Sequence, residues 1–258
     1  MMVRDMVEFD TENQNKLRRL WFIGDVHGDF KPLAETLLKH HQDGFVMPTW
    51  VIFLGDIDID HRPFRVILEP LRRNFPTVRA AFIYGNHDAD THEHWNCLND
   101  CGDAVPLHGV VTDLDGIKVA GLGGNFLGRV WYPPGDVKFR NKRKSMHRGA
   151  FQFRSGQQPN SSFHAAIYPD DVDHLSRLRA DILVTHEAPS CHPNGFKVLD
   201  ELARSLRVIR TFHGHQHDDR TKEYALQRES LGFDAVGVNY CGIKNGLAEI
   251  IYQGPEGW

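Results

Sequence analysis

Carboxylate and imidazole side chains recur in short clusters that follow glycine along this chain of 258 residues. The first cluster contains Asp25 and His27, which are two residues apart and therefore point to the same side of an extended backbone. A carboxylate oxygen and an imidazole nitrogen on one side of a chain are suitable ligands for a divalent transition metal. Taken alone, the same pair is also typical of a solvated turn.

The second cluster follows Gly55 and contains the carboxylates of Asp56, Asp58 and Asp60. Carboxylates this close repel one another unless solvent or positive charge compensates them. One carboxylate can also bridge two cations through its two oxygens. An acidic turn at the surface is the alternative interpretation.

The third cluster is the tetrapeptide Gly85-Asn86-His87-Asp88. Asn86 offers a neutral carbonyl oxygen as a ligand, and His87 offers an imidazole that can transfer a proton. A helix cap made by Asn86 or Asp88 is the alternative interpretation. Two later clusters add His186 and the run Gly214-His215-Gln216-His217, in which two histidines repeat the spacing of the first cluster.

Each cluster directly follows an apolar run of the length of a β-strand. These runs cover residues 20–24, 50–54, 78–84, 182–185 and 208–213. Helical spacing of leucine and other apolar residues over 32–41 and 64–75 separates the first three runs, so the pattern is βαβαβ with parallel strands. Ligands of such sheets bind beyond the carboxyl ends of the strands, where the clusters lie.

The remaining chain is less regular. Residues 109–111 and 117–121 predict two strands around an Asp-Gly turn, and residues 169–179 and 197–206 predict helices. Residues 224–252 are typical of closing antiparallel strands. Residues 128–165, here called the excursion, have no clear periodicity and include a basic run over 138–148. We interpret residues 1–258 as a single domain, because the clusters at 25 and 217 would have to meet in one site.

The composition is that of an ordinary soluble globular protein: 41% apolar residues, 25% charged residues and a net charge of −4 from 30 basic and 34 acidic side chains. No apolar run is long enough to span a membrane, and residues 1–16 have no signal-peptide core. The four cysteines lack a paired zinc spacing. We therefore expect a cytoplasmic protein with reduced thiols, and the acidic balance disfavours nucleic acid as the main partner.

The ordered clusters from residue 24 to residue 217 resemble those of the calcineurin-like metallophosphoesterase superfamily. The resemblance implies an α/β fold, a four-layer αββα sandwich of two mixed β-sheets flanked by helices. It also implies a site with two divalent metal ions, of which Mn is favoured and Fe, Zn, Ni, Co or Mg are possible.

The resemblance assigns roles position by position. Asp25, His27 and His217 would bind one metal, Asn86, His186 and His215 would bind the other, and Asp56 would bridge them. A hydroxide between the metals would attack a phosphate monoester or diester in line. His87 would be the general acid, and the next residue, Asp88, is the second predicted catalytic residue. The implied substrates are a phosphorylated small molecule, a nucleotide or a phosphoprotein.

The sequence departs from the protein phosphatase branch of this superfamily, which has Gly-Asp-x-x-Asp-Arg-Gly at the second cluster. Ile59 and Asp60 stand where that branch has Asp and Arg, so the Asp that orients the catalytic His and the Arg that contacts phosphate are both missing. Asp58, Asp60 or Asp88 are candidates to orient His87, and Arg62 is a candidate to contact phosphate.

The departure weakens a serine/threonine phosphatase interpretation without excluding it, and a nucleotide or nucleic-acid phosphodiesterase stays open. A non-catalytic interaction module on the same fold is less consistent with the sequence, because every implied ligand and His87 are present. The basic run over 138–148 could steer a polyanionic substrate, but we favour a solvated charged loop. The oligomeric state is open.

Overall fold

A computed structural model describes residues 11–59, 61–146 and 160–255 of the chain. The described strands form one sheet of six strands, in the order β11-β10-β1-β2-β3-β4, and one of five, in the order β5-β6-β7-β8-β9. The strands are β1 Leu20–Ile23, β2 Trp50–Leu54, β3 Arg79–Ile83, β4 Val105–Pro106, β5 Val111–Leu114, β6 Ile117–Leu122, β7 Ile182–Thr185, β8 Arg210–His213, β9 Asp234–Gly237, β10 Ile243–Asn245 and β11 Ile250–Tyr252.

Helices separate most of these strands. The described α-helices numbered here are α1 Thr11–Arg18, α2 Lys31–Gln42, α3 Phe64–Ile67, α4 Glu69–Asn74, α5 His92–Asn99, α6 Pro169–Leu175, α7 Lys197–Leu206, α8 Thr221–Ala225 and α9 Arg228–Leu231. Short 3-10 turns cover His87–Ala89 and Ser161–His164. No helix in the described ranges is both long and apolar enough to cross a membrane.

Both sheets are mixed, as the sequence predicts. Strands β1, β2, β3 and β4 pair in parallel, and β10 joins β1 antiparallel. In the second sheet β6, β7, β8 and β9 are parallel, and β5 pairs antiparallel with β6. Because the carboxyl ends of parallel neighbours lie at one edge of a sheet, the loops after β1, β2 and β3 come together, and so do those after β7 and β8.

Three apolar layers hold the sandwich together. The middle layer joins the inner faces of both sheets, and its centre is a stack of Phe22 on Phe212 with ring centroids 3.8 Å apart. Helix α2 buries Leu33 and Leu37 on the outer face of the first sheet. Helix α7 covers the outer face of the second sheet with a stripe that includes Leu202. The fold is therefore the predicted α/β sandwich of two mixed sheets flanked by helices.

We expect Phe212→Leu to lower the free energy of unfolding by about 1–2 kcal/mol, less than the roughly 3–5 kcal/mol typical of Phe→Ala in a core. Leu is smaller than the ring, and both Phe22 and Phe212 are fully buried, so the lost contacts are not replaced by solvent. Urea denaturation followed by circular dichroism measures the change. The matched control is Phe45→Leu at an exposed position, and equal stabilities of the two variants would contradict the central packing role.

Two predicted elements differ in the structure. The single helix expected over residues 64–75 is two short helices, because Pro70 at the start of α4 has no backbone N–H to continue the turn before it. The tail is not entirely antiparallel: α8 and α9 follow β8, and β9 then pairs in parallel with it. Helical crossovers return the chain in the same direction, which explains the difference. The antiparallel pairing of β10 and β11 is confirmed.

The described parts of the excursion, residues 128–146 and 160–165, add no strand to either sheet. They gather around a small apolar cluster that includes Val130, Phe163 and Tyr168. The predicted basic run is partly engaged in contacts there, since Arg140 pairs with Asp170 and Asp173. The rest of the excursion, with Arg148, lies outside the described residues.

Candidate metal centre

The loops after β1, β2, β3, β7 and β8 converge on one site. Several of their non-glycine residues have positive φ angles, a conformation that costs free energy and is retained where the surroundings demand it. These residues are His27 at 41°, Asp56 at 46°, Asp58 at 52°, His215 at 66° and His217 at 55°. Several unfavourable backbone conformations in loops that converge on one place are typical of a functional site.

One half of the site is formed by Asp56, Asn86, His186 and His215. Ligand atoms of Asp56, His186 and His215 lie within 4.8 Å of one another. Nε2 of His186 is 3.3 Å from Oδ2 of Asp56 and 3.1 Å from Oδ1 of Asn86. Nδ1 of the same ring donates a hydrogen bond of 2.8 Å to the carbonyl oxygen of Leu54, which directs Nε2 toward these oxygens, and Nε2 becomes a metal ligand once it loses its proton. The oxygens of Asp56 and Asn86 and Nε2 of His186 thus lie close together, an arrangement that suits a cation.

The other half is formed by Asp25, His27 and His217. The Nε2 atoms of the two imidazoles face each other at 3.3 Å, and Nε2 of His217 is 3.9 Å from Oδ2 of Asp25. Nδ1 of His27 donates to Oδ2 of Asp58 at 3.4 Å, which orients its Nε2 toward the site. Oδ1 of Asp25 is buried without a hydrogen-bond partner among the described residues. A divalent cation would satisfy this oxygen.

Asp56 joins the two halves. Its Oδ2 is 3.3 Å from Nε2 of His186 and 3.9 Å from Nε2 of His27. Its Oδ1 accepts a hydrogen bond of 2.8 Å from the backbone N–H of His87. The structure therefore brings together all seven residues predicted to bind metal, and their oxygen and imidazole donors fit two divalent cations.

Burial sets the electrostatics of these groups. Burial raises the pKa of Asp25 to about 7, although the charge of His186 opposes the rise. Burial also acts to raise the pKa of Asp56, but the charge and hydrogen bond of His186 outweigh it and hold that pKa below its usual range. The effect on His186, the partner of Asp56, is the opposite. Burial acts to lower the pKa of His186, but the carboxylate of Asp56 raises it to about 10. Burial lowers the pKa of His215 to about 3, which keeps its imidazole neutral.

His87 lies beside this centre with about 45% of its side chain exposed. Its ring centroid is 5.3 Å from that of His27. Nδ1 donates a hydrogen bond of 2.8 Å to Oδ2 of Asp90. Burial acts to lower the pKa of His87, but the hydrogen bond to Asp90 and the charge of Asp56 raise it above the ordinary histidine value.

Asp88 has a different environment from His87. Its carboxylate is buried, and its two oxygens accept hydrogen bonds of 2.7 Å from the backbone N–H groups of Asp58 and Gly85. Asp88 thereby connects the second and third loops. Burial and the charge of Asp56 raise its pKa to about 6.

Two carboxylates of this site were not predicted from the sequence. The first is Asp90: the expected partners of His87 were Asp58, Asp60 and Asp88, whereas the structure has Asp90 there, and Asp60 lies outside the described residues. Asp90 could have been predicted from its position three residues after His87, because side chains three residues apart on a helical turn are neighbours. The second is Glu187, which is buried, accepts from the backbone N–H of Phe126 at 3.0 Å and lies 3.8 Å from Nε2 of His215. Burial raises the pKa of Glu187 to about 7.

The other predicted features are outside the set of seven candidate ligands. Arg62, the candidate for phosphate contact, is exposed. In the basic run, Lys138 donates to the carbonyl oxygen of Gly128, and Nζ of Lys142 lies 4.1 Å from the centroid of the Trp95 ring. The four cysteines, Cys97, Cys101, Cys191 and Cys241, are free thiols.

The chain is similar to known proteins in sequence and in fold. The sequence profile of a family described as calcineurin-like phosphoesterase matches residues 18–219. A Haemophilus influenzae protein named "Uncharacterized protein" is 30% identical over 224 residues, which cover 82% of this chain and 90% of that protein. The crystal structure of TT1561 of Thermus thermophilus has a TM-score of 0.52 at 14% identity, over 90% of this chain and 98% of that one. This last likeness concerns the fold alone.

Proposed function

The chain belongs to the calcineurin-like phosphoesterase family, and on this premise we propose that it hydrolyses a phosphate monoester or diester with two divalent metal ions. The observation that carries the proposal is the convergence of seven donor residues from five loops, with Asp56 shared between the two halves of the site. Asp25, His27 and His217 would hold one cation. Asn86, His186 and His215 would hold the other, with Asp56 shared.

Manganese is the cation that we propose. The donors combine the oxygens of Asp25, Asp56 and Asn86 with four imidazoles and no thiolate, which suits the harder divalent transition metals. When bound, the two cations supply Lewis acidity toward the phosphoryl group and make water a nucleophile at neutral pH. No phosphorylated side chain is required for such a displacement.

The residues of the chain orient the ligand rings and supply the proton for the leaving group. Asp58 and the carbonyl oxygen of Leu54 orient the rings of His27 and His186 through their Nδ1 atoms. His87 is the proposed general acid, because its half-exposed ring lies next to the centre and its Nε2 is not used by Asp90. It would deliver the proton from Nε2 to the leaving oxygen of the ester.

The proposed substrate is a phosphorylated small molecule, a nucleotide or a phosphoprotein. The missing Asp and Arg of the second cluster argue against a serine/threonine protein phosphatase. The exposure of His87 supports an ester whose leaving group extends into solvent.

The deciding experiment combines metal content with two rates. We expect mass spectrometry to find about two divalent ions per chain, as in two-metal phosphoesterases. We expect the protein to hydrolyse p-nitrophenyl phosphate or bis-p-nitrophenyl phosphate, a monoester and a diester of one alcohol, and the faster of the two identifies the substrate class. Absence of hydrolysis of both esters with Mn, Fe, Zn, Ni, Co and Mg in turn would contradict the proposal.

Removal of the metal ions should also lower thermal stability. Asp25 and Asp56 are buried close together, and a cation that binds only the folded state stabilises it by mass action. At a free metal concentration about 100 times Kd the stabilisation is about 2.7 kcal/mol, or roughly 5–10 °C in Tm for a chain of this length. Differential scanning fluorimetry with and without EDTA measures the shift, and added Mn should reverse it. An unchanged Tm would contradict metal binding at the buried carboxylates.

A further inference from the structure

We propose that Asp90 is the positioning residue for His87, in place of the aspartate that the second cluster lacks. This inference rests on the proposed function, because it concerns the residue that we propose as general acid. It assigns a role to a residue that the sequence pattern did not indicate, and it connects the excursion to the site.

The geometry around the ring supports Asp90 over its neighbours. Oδ2 of Asp90 accepts a hydrogen bond of 2.8 Å from Nδ1 of His87. The carboxylate of Asp58 contacts two other rings, at 3.4 Å from Nδ1 of His27 and 3.6 Å from Nδ1 of His94. Both oxygens of Asp88 are occupied by backbone N–H groups. Asp90 is thus the carboxylate that orients the ring through Nδ1.

The backbone on both sides of Asp90 is held in place. Its N–H donates to the carbonyl oxygen of His87 at 3.1 Å, which closes the 3-10 turn between them. Its carbonyl oxygen accepts a hydrogen bond of 2.9 Å from Oγ of Ser161, in the excursion. Thr91 is the N-cap of helix α5, and its side-chain oxygen accepts a hydrogen bond of 3.0 Å from the N–H of His94. Asp90 is therefore fixed relative to His87 by a turn, a helix start and a residue distant in sequence.

This contact has a chemical consequence. A carboxylate on Nδ1 selects the tautomer and ring orientation that present Nε2 to the substrate, and it stabilises the imidazolium that must donate the proton. Loss of the carboxylate leaves the ring free to rotate and to adopt the other tautomer. The effect on rate should be greater for a leaving group that needs protonation more, and substrate binding should change little.

The kinetic test compares Asp90→Asn and Asp90→Glu on two aryl phosphates. For Asp90→Asn we expect kcat on phenyl phosphate, the poorer leaving group, to fall about 10- to 100-fold and kcat on p-nitrophenyl phosphate about 3-fold, with KM nearly unchanged. Asp90→Glu should recover part of the loss. The matched control is Glu93→Gln, which removes a carboxylate from the exposed His61 at the same distance of 2.8 Å, and it should leave both rates unchanged.

A second measurement does not depend on turnover. In the zinc-bound protein at a pH where His87 is neutral, ¹⁵N NMR of labelled histidine should show His87 as the Nδ1–H tautomer, identified by the signals lost in His87→Ala. Asp90→Asn should shift that ring toward a mixture of tautomers. The same tautomer in both proteins, or wild-type rates for Asp90→Asn on both esters, would overturn the role of Asp90. Absence of hydrolysis of both esters by the wild-type protein would instead overturn the proposed function, so the two failures are distinguishable.

Discussion

Replacement of Asp56 with Asn should lower kcat on an aryl phosphate at least about 100-fold, together with the metal content of the purified protein. Asp56 is the residue at which the two halves of the site meet, with one oxygen facing both His186 and His27. Asn has the same shape but one oxygen and no charge. The shared ligand and much of the negative charge that attracts the cations would both be lost.

The expected result needs evidence that the variant is folded, because Asp56 is buried. Far-ultraviolet circular dichroism and urea denaturation provide it. The matched control is Asp136→Asn, the same substitution at an exposed position in the excursion. A folded Asp56→Asn protein with normal metal content and normal kcat would contradict the role of Asp56 as the shared ligand.

Replacement of His87 with Ala should also lower kcat on phenyl phosphate at least about 100-fold, the usual contribution of a general acid. The difference from Asp56→Asn lies in the metal content, which should stay at the wild-type level. His87 contacts Asp56 through its backbone N–H, which Ala retains, and its ring pairs with Asp90 instead of the proposed ligands. Steady-state kinetics and mass spectrometry on the same preparations measure both quantities.

The control for His87→Ala is His61→Ala, which removes another exposed imidazole paired with a carboxylate. Loss of metal from His87→Ala would show that the ring acts as a ligand. Normal turnover would show that another group protonates the leaving oxygen. A loss of turnover at constant metal content would show that His87 transfers a proton and does not bind metal. This outcome is expected because His87 lies at the edge of the centre.

The placement of the site along the chain could be predicted from the sequence. The bounds of β2, β7 and α7 match the expected runs, because apolar runs that are buried on both faces and amphipathic helices have patterns readable over a few residues. The rule that parallel strands present their carboxyl ends at one edge then predicts that their loops meet. The strand-end positions of Asp25, His27, Asp56 and the histidines of the later loops made them candidates, and the family resemblance implied their roles as ligands. The interpretation of the chain as a single domain stays a prediction.

The partners of individual carboxylates could not be predicted in the same way. Asp58, Asp88 and Asp90 all lie near His87 in sequence or in the expected fold, but only the tertiary structure shows that they contact His27, backbone N–H groups and His87 respectively. Glu187 likewise reaches the centre because the backbone N–H of Phe126 holds one of its oxygens.

The two cases differ in the range of the interactions involved. Which residue types stand at the strand ends could be predicted, since strand burial and loop position depend on short apolar patterns. The directions of their side chains could not, since these depend on the left-handed backbone of His27, Asp56 and Asp58 and on contacts such as Ser161 with Asp90, 71 residues apart. A local pattern carries no information about such contacts, and they decide which carboxylate meets the imidazole that we propose as the acid.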